Sequence, residues 1–124
     1  MMKSSTISTS WSPESMIERI GDDEELARQL VALFLAEYPR MIAELRASID
    51  SGVADTVRRA AHAFKGSAAN FIDDGPVATA LEIEVLGKEG RLDPVPALFA
   101  RLEVEVAELV AGMREFDRGG ACAS

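Results

Sequence analysis

The chain has 124 residues, of which 48% are hydrophobic, and its 21 acidic and 13 basic side chains give a net charge of −8. This length fits one domain with a substantial core, and it is too short for a multi-part kinase or a two-domain dehydrogenase. No apolar run approaches the roughly 20 residues of a membrane span, and an acidic surface repels nucleic acids and anionic lipids, so we expect neither as a partner. The one cysteine, Cys122, cannot form a disulfide within the chain, and together these features favour a cytoplasmic protein.

The N-terminal residues are small and polar and lack the apolar stretch of a signal peptide. We therefore predict a disordered segment over residues 1–12. Ser12 followed by Pro13 is typical of a helix start, and Gly21 ends the short helix that it predicts. The initiating methionines favour a free-standing protein.

A second, longer helix begins at the acidic pair Asp22 and Asp23, which suits the positive end of a helix dipole. Leucines, phenylalanine, methionine and isoleucine recur along it at helical spacing until Ser51-Gly52. Pro39 lies in its middle and predicts a kink or a break.

Three further helices are predicted beyond this point: one over about residues 53–71, one from Pro76 to near Gly90, and one that starts after Asp93-Pro94. The last has the most regular apolar stripe in the chain and ends before a flexible tail over residues 118–124. Four substantial helices joined by short loops predict an all-α, antiparallel four-helix bundle over residues 13–117, with the short N-terminal helix packed against it.

The single histidine, His62, lies on the third predicted helix. At about 100° per residue, the apolar residues of this helix share one face, and His62 points to the opposite side. That predicted core face comprises Val53, Val57, Ala60, Phe64, Ala68 and Phe71. The helix phase therefore excludes a buried core histidine and leaves either a functional or an incidental surface histidine.

The neighbours of His62 favour a functional role. Arg58, Arg59 and Lys65 predict a local positive patch in an otherwise acidic chain. Gly66 costs about 1 kcal/mol in a helix relative to alanine, which suggests that a partner approaches closely here. An exposed imidazole is a nucleophile near neutral pH, and nearby cations would offset the charge of a phosphoryl group placed on it.

The segment from Ala61 to Asn70, AHAFKGSAAN, resembles the signature of histidine-containing phosphotransfer (HPt) domains, A-H-x-(apolar)-K-G-S-A. Ile83-Glu84 and Gly87-Lys88 are similar to a later element of that family, L-E-x-x-G-(basic), and the resemblance covers about residues 14–117. It implies a four-helix bundle with His62 as the phosphoacceptor, supported by Lys65 and Gly66.

The resemblance also implies passive carriage rather than stand-alone catalysis. A receiver-domain aspartyl phosphate, or a hybrid histidine kinase, donates to His62, and a response-regulator aspartate later accepts the group. We expect no metal or cofactor on this chain, since Mg²⁺ belongs to the receiver domain, and we expect a monomer. The helix phase places the predicted partner surface around His62, on Arg58, Arg59, Ala63, Lys65, Gly66, Ala69 and Asn70.

Other classes of protein fit less well. The dimerisation helix of a histidine kinase has an acid after its histidine, whereas Ala63 follows here, and the chain has no glycine-rich ATP-binding region. A single histidine without a placed nucleophile or metal-ligand spacing does not favour a hydrolase. An adaptor or inhibitor that binds a receiver domain through the same surface, without phosphorylation, stays open as the alternative.

Overall fold

The computed structural model describes residues 11–122, with side chains described to residue 118, and contains five helices. They are α1 (Pro13–Arg19), α2 (Glu24–Ser51), α3 (Ala54–Ala68), α4 (Pro76–Glu89) and α5 (Val95–Cys122). No β-strand occurs between residues 11 and 122, and no helix there is both long and apolar enough to cross a membrane.

The four long helices pack as a ring. Each of α2, α3 and α4 contacts the next helix in sequence, and α5 closes the ring against α2. Short connections make successive helices antiparallel. The predicted four-helix bundle with an additional N-terminal helix is therefore confirmed.

The helix starts follow from the capping residues. The Ser12 hydroxyl accepts a hydrogen bond from the Ser15 amide, with Pro13 in the first turn of α1, and the Asp23 carboxylate accepts one from the Leu26 amide at the start of α2. Gly52 and Gly90 end α2 and α4 in the left-handed conformation that favours glycine.

Both ends of the domain differ from their predicted boundaries. Residues 1–10 of the predicted disordered segment lie outside the described residues, but Trp11 and Ser12 belong to the folded domain, because the Trp11 ring packs against Gly112 and Ser12 caps α1. The flexible tail was predicted to start at residue 118, but α5 continues to Cys122. Residues 123–124 lie outside the described part. Glycines weaken a helix by about 1 kcal/mol each without having to end it.

Of the predicted kink or break at Pro39, the break does not occur, and α2 runs through the proline as one helix. Proline removes one backbone hydrogen bond from a helix interior. Burial of Phe34 before it and Met41 after it, together with stacking of Phe34 on Tyr38, holds the two halves in one helix.

Helix α3 is shorter than predicted and ends at Ala68 instead of Phe71. The guanidinium of Arg19, from α1, donates a hydrogen bond to the carbonyl oxygen of Ala69 at 3.0 Å, so that carbonyl already has a partner from outside the helix. Phe71 and Ile72 still enter the core from the following turn.

The predicted core face of α3 is largely right. Val57, Phe64 and Ala68 are buried, as is Phe71 beyond the helix end. Val53 is exposed, because it precedes the first turn, and Ala60 is only partly buried while its neighbour Ala61 is fully buried.

A buried polar network joins α4 to α5. The Thr79 hydroxyl donates to Glu105 Oε1 at 2.6 Å and accepts two hydrogen bonds from the Arg101 guanidinium, at 3.1 and 3.0 Å. Thr79 and Glu105 are both buried, so their polar groups would be costly without these partners. The network therefore fixes the register of α4, the helix that lies beside His62.

Candidate functional site

His62 lies on the exposed face of α3, and 64% of its side chain is accessible. Ala61 and Phe64, on the same helix, are fully buried and hold α3 against the bundle. The prediction that His62 points away from the core is confirmed. The imidazole is therefore fixed by a rigid helix and open to a second protein.

A carboxylate from the neighbouring helix contacts the imidazole. Glu84 of α4 places Oε2 2.9 Å from His62 Nδ1. An ionised carboxylate can only accept a hydrogen bond, so this contact requires the proton on Nδ1, and in the neutral ring the lone pair then lies on Nε2. The arrangement thus makes Nε2 the nucleophilic nitrogen.

Glu84 also contacts Lys65, one turn after His62. The Lys65 ammonium lies 2.9 Å from Glu84 Oε1 and forms an ion pair with it. Both side chains are largely covered, with 25% and 18% of their surface accessible. His62, Lys65 and Glu84 therefore form one charged cluster between α3 and α4.

The contacts of Glu84 keep its carboxyl ionised. Burial alone would raise the pKa of Glu84, but the contacts with Lys65 and His62 lower it by more, and the net pKa lies below its ordinary value. Glu84 is consequently an anion at neutral pH.

Glu84 was not among the predicted site residues. The sequence contained a signal for it, since Glu84 belongs to the second element that resembles the HPt family. Its pairing with His62, however, depends on how α3 and α4 pack. Gly87, one turn after Glu84, allows that packing, because a Cβ at position 87 would lie 2.8 Å from the Arg58 backbone nitrogen.

The predicted positive patch is partly neutralised, because its three cations face two carboxylates. Asp55 pairs with both Arg58 and Arg59, at 2.8 and 3.1 Å, and Glu84 pairs with Lys65. The hydrogen bond from Arg58 is the largest cause that holds the pKa of Asp55 below its ordinary value, with a smaller contribution from Arg59. Arg58 and Arg59 lie one turn before His62 as predicted, but they are not free cations.

The surface after His62 is formed by small residues. Ala63 and Gly66 are exposed, and Ala69 is partly exposed. A Cβ added at Gly66 would meet no atom within 4 Å, so a partner can approach α3 closely here. Asn70 is also exposed, in the turn after α3, where its amide donates to the Ser67 carbonyl oxygen. The fold thus brings Ala63, Gly66, Ala69 and Asn70 together as predicted.

An apolar surface on α2 adjoins this region and was not predicted. Leu26 and Leu33 are exposed, and Leu30 lines a groove together with Ala69, Asn70, Arg19 and Ile20. Leu26, Leu30 and Leu33 lie on one side of α2 because they are spaced by four and three residues. We refer to these three residues as the leucine surface.

Nothing in the described part of the chain resembles a metal centre. Within it, no group of three or more His, Cys, Asp or Glu side chains is close enough together to hold a metal ion. The Glu84 carboxylate contacts His62 Nδ1 through one oxygen and the Lys65 ammonium through the other.

Two comparisons with known proteins found a match. The family model described as "Hpt domain" matches residues 29–112, which include His62, Lys65, Gly66 and Glu84. The structure is similar to the crystal structure of histidine-containing phosphotransfer protein B (HptB) from Pseudomonas aeruginosa PAO1, with a TM-score of 0.79 and 22% sequence identity over 87% of this chain and 94% of that chain. No match was found among curated protein sequences.

Proposed function

The chain belongs to the Hpt domain family, and on that basis we propose that it is a phosphoryl carrier of a two-component phosphorelay with His62 as the phosphoacceptor. It accepts the group from a receiver-domain aspartate or a histidine kinase and passes it to a response-regulator aspartate. It carries the group and is not a stand-alone catalyst.

The observation that carries this proposal is the state of the His62 ring. The side chain is exposed, and its Nδ1 contacts the Glu84 carboxylate. The remaining nitrogen, Nε2, thus keeps its lone pair available for attack on phosphorus. A rigid helix holds the ring, so the orientation needed for attack is present before a donor arrives.

Lys65 supports the same chemistry. A phosphoryl group on Nε2 adds negative charge beside α3, and the Lys65 ammonium is the nearest cation on the following turn. Because its present partner is one carboxylate oxygen, Lys65 can pair with the phosphoryl group after transfer. Gly66 leaves the space that the donor protein needs.

The proposed partners are receiver domains and a hybrid histidine kinase, which dock over Ala63, Gly66, Ala69 and Asn70. The leucine surface beside these residues would add apolar contact area. Mg²⁺ would be supplied by the receiver domain, so the carrier needs no metal of its own. We propose a monomer located in the cytoplasm.

A second candidate function is that of an adaptor that binds a receiver domain without being phosphorylated. The leucine surface favours it, because exposed leucines provide a docking area independent of His62 chemistry. An adaptor that binds without being phosphorylated has no use for the contact between Glu84 and His62 Nδ1. This contact therefore favours the carrier.

The test uses purified protein mixed with a panel of ³²P-labelled receiver domains, with His62→Gln as the matched control. We expect label on the wild-type chain that is lost in acid and stable in alkali, and no label on His62→Gln. If no receiver labels the wild-type chain while binding to one is still measurable, the adaptor is the correct function.

A further inference from the structure

We propose that Arg19 of α1 is a positioning residue for partner docking, because it holds the turn after α3 in the shape that a receiver domain recognises. This inference rests on the proposed carrier function. It assigns a role in docking to a helix that precedes the residues matched by the Hpt domain model, 29–112. It starts from two contacts that the Arg19 guanidinium makes with the turn.

The guanidinium joins the two ends of this turn. Its Nη2 donates a hydrogen bond to the Ala69 carbonyl oxygen at 3.0 Å, and its Nη1 lies 3.4 Å from Asp73 Oδ2. The Ala69 carbonyl lies just past α3, where helix carbonyls lack a partner within the helix. Because the guanidinium is planar and rigid, the two contacts together constrain the distance between Ala69 and Asp73.

The turn over residues 69–73 is anchored on its inner side without Arg19. Phe71 and Ile72 are buried in the core, each with 3% of its surface accessible, and their amides both donate to the carbonyl oxygen of the last residue of α3. The outer side of the turn, around Asn70, is exposed. Arg19 therefore shapes the exposed side of the turn and does not decide whether the turn folds.

That exposed side belongs to the proposed docking face. Ala69 keeps helical backbone angles, with φ −65° and ψ −16°, and follows His62 by seven residues, so it lies about two turns further along the same side of α3. Ala69 and Asn70 also line the groove beside the leucine surface. A receiver domain that covers both His62 and the leucine surface therefore lies over this turn.

The helix that carries Arg19 is a fixed support. Met16 of α1 is fully buried, and the Trp11 ring just before α1 packs against Gly112 of α5. The Arg19 side chain is itself only 35% accessible. A turn that is already ordered by such a support loses no conformational freedom on docking, so a receiver binds it more tightly.

A contribution to stability explains these contacts less well. The Asp73 side chain is 75% accessible, and an ion pair that is this exposed contributes little to the free energy of folding. The hydrogen bond to the Ala69 carbonyl oxygen is also exposed, so water could replace the guanidinium there. The contacts of Arg19 therefore matter more for the shape of the turn than for the stability of the bundle.

The experiment separates docking from chemistry. Phosphoryl transfer from one phosphorylated receiver domain is measured by rapid quench at a series of receiver concentrations, which gives KM and kcat for each variant. Phosphorylation by potassium phosphoramidate, a small donor that needs no docking surface, is measured in parallel. The variants are Arg19→Ala, Arg19→Lys and, as the matched control, Arg91→Ala.

Arg91→Ala removes the same charge from the other end of the bundle. Arg91 follows the C-terminal end of α4, which lies against the start of α3, as the position of Gly87 beside Ala54 shows. The Arg91 side chain is 67% accessible and pairs with Glu89, so its removal should leave the fold unchanged. This variant tests whether the loss of any cation from an acidic chain weakens docking.

We expect KM to rise about fivefold in Arg19→Ala, while kcat, the phosphoramidate rate and the melting temperature stay near those of the wild type. Arg19→Lys keeps the charge, but its single ammonium can make only one of the two contacts, so its KM should lie between the other two. Arg91→Ala should match the wild type. Backbone ¹⁵N relaxation should show larger motions of residues 69–73 in Arg19→Ala, which would link the change in KM to the turn.

The two proposals fail in different ways. Equal KM values for the wild type and Arg19→Ala would overturn the role of Arg19 and leave the carrier function intact. An equal rise of KM in Arg91→Ala, or a loss of the phosphoramidate reaction in Arg19→Ala, would overturn it too, because the effect would then come from net charge or from the surroundings of His62. A wild-type chain that is phosphorylated by phosphoramidate but by no phosphorylated receiver overturns the carrier function, and the role of Arg19 in docking with it.

Discussion

Gly87 of α4 lies directly against the backbone of Arg58 in α3. A Cβ at position 87 would be 2.8 Å from the Arg58 nitrogen and 3.0 Å from the Ala54 carbonyl oxygen. Both obstacles are backbone atoms of a helix, which cannot move aside as the end of a flexible side chain can. This contact sets the separation of the two helices that carry His62 and Glu84.

Gly87→Ala should therefore separate α3 from α4 and lower the free energy of unfolding by about 1–3 kcal/mol, as expected for overpacking. The matched control is Gly66→Ala in α3, where the added Cβ meets nothing within 4 Å. Alanine is the better helix former, so Gly66→Ala should raise the free energy of unfolding by up to about 1 kcal/mol. Urea denaturation of the three proteins measures both values, and equal effects at the two glycines would contradict this account of the α3–α4 contact.

Gly66→Leu tests the approach of a partner without disturbing the fold. The leucine side chain would extend into solvent beside His62, so the melting temperature should stay near that of the wild type. Phosphoryl transfer from a receiver domain should fall at least about tenfold, because the leucine occupies the space of the docked protein. Phosphorylation by phosphoramidate, a small donor, should be unaffected. Wild-type transfer from the receiver would show that this face is not the docking surface.

Lys65→Ala should slow transfer without abolishing it. The variant removes a cation that lies one turn after His62, and we expect a loss of about tenfold in the rate, equivalent to about 1.4 kcal/mol. Lys65→Arg keeps the charge and should recover most of the rate. Stopped-flow or rapid-quench transfer from one phosphorylated receiver gives the comparison, and equal rates for alanine and wild type would remove Lys65 from the mechanism.

The stability of the chain should depend on pH through Glu84. Its pKa in the folded chain lies below the ordinary value of 4.5, so the ionised group stabilises the folded state above pH 4.5. That contribution is lost as the pH falls through the lowered pKa. The wild type should exceed Glu84→Gln in free energy of unfolding by about 1 kcal/mol at neutral pH, and the difference should shrink toward zero in acid.

Asp55, whose pKa is also lowered, is present in both proteins, so its contribution cancels in this comparison. Chemical denaturation at a series of pH values provides the measurement. A difference that stays constant, or grows, as the pH falls would be inconsistent with an ionised Glu84 in the folded chain.

The features that depend on a single segment of the chain could be predicted from the sequence of that segment. The caps at Ser12 and Asp23 and the apolar period of α3 predicted where helices begin and which way His62 points, because helix phase is a property of a single segment. The Ala61–Asn70 signature likewise placed Lys65 and Gly66 near His62, one turn along the same helix.

Relations between helices could not be predicted in the same way. The contact of Glu84 with His62 depends on the packing of α4 against α3, which Gly87 permits and the Thr79–Glu105 network fixes in register. The contact at the early end of α3 likewise comes from another helix, since Arg19 of α1 donates to the Ala69 carbonyl oxygen. None of these contacts follows from the periodicity of one segment.

The partial neutralisation of Arg58 and Arg59, by contrast, was predictable. Asp55 precedes Arg58 and Arg59 by three and four residues, the spacing at which opposite charges meet on a helix. A count of charges within the segment gave a net positive patch, and the pairing at that spacing reduces the positive charge of the two arginines by one without removing it.

The packing of Trp11 on Gly112 gives the chain a built-in optical probe. Trp11 is its one tryptophan, and it lies at the entrance to α1, the helix whose Arg19 binds the Ala69 carbonyl beside the proposed docking face. Any event that loosens α1 would expose the indole to water and shift its emission to longer wavelength. Binding of a phosphorylated or unphosphorylated receiver could therefore be followed in real time by intrinsic fluorescence, without a dye or an affinity label.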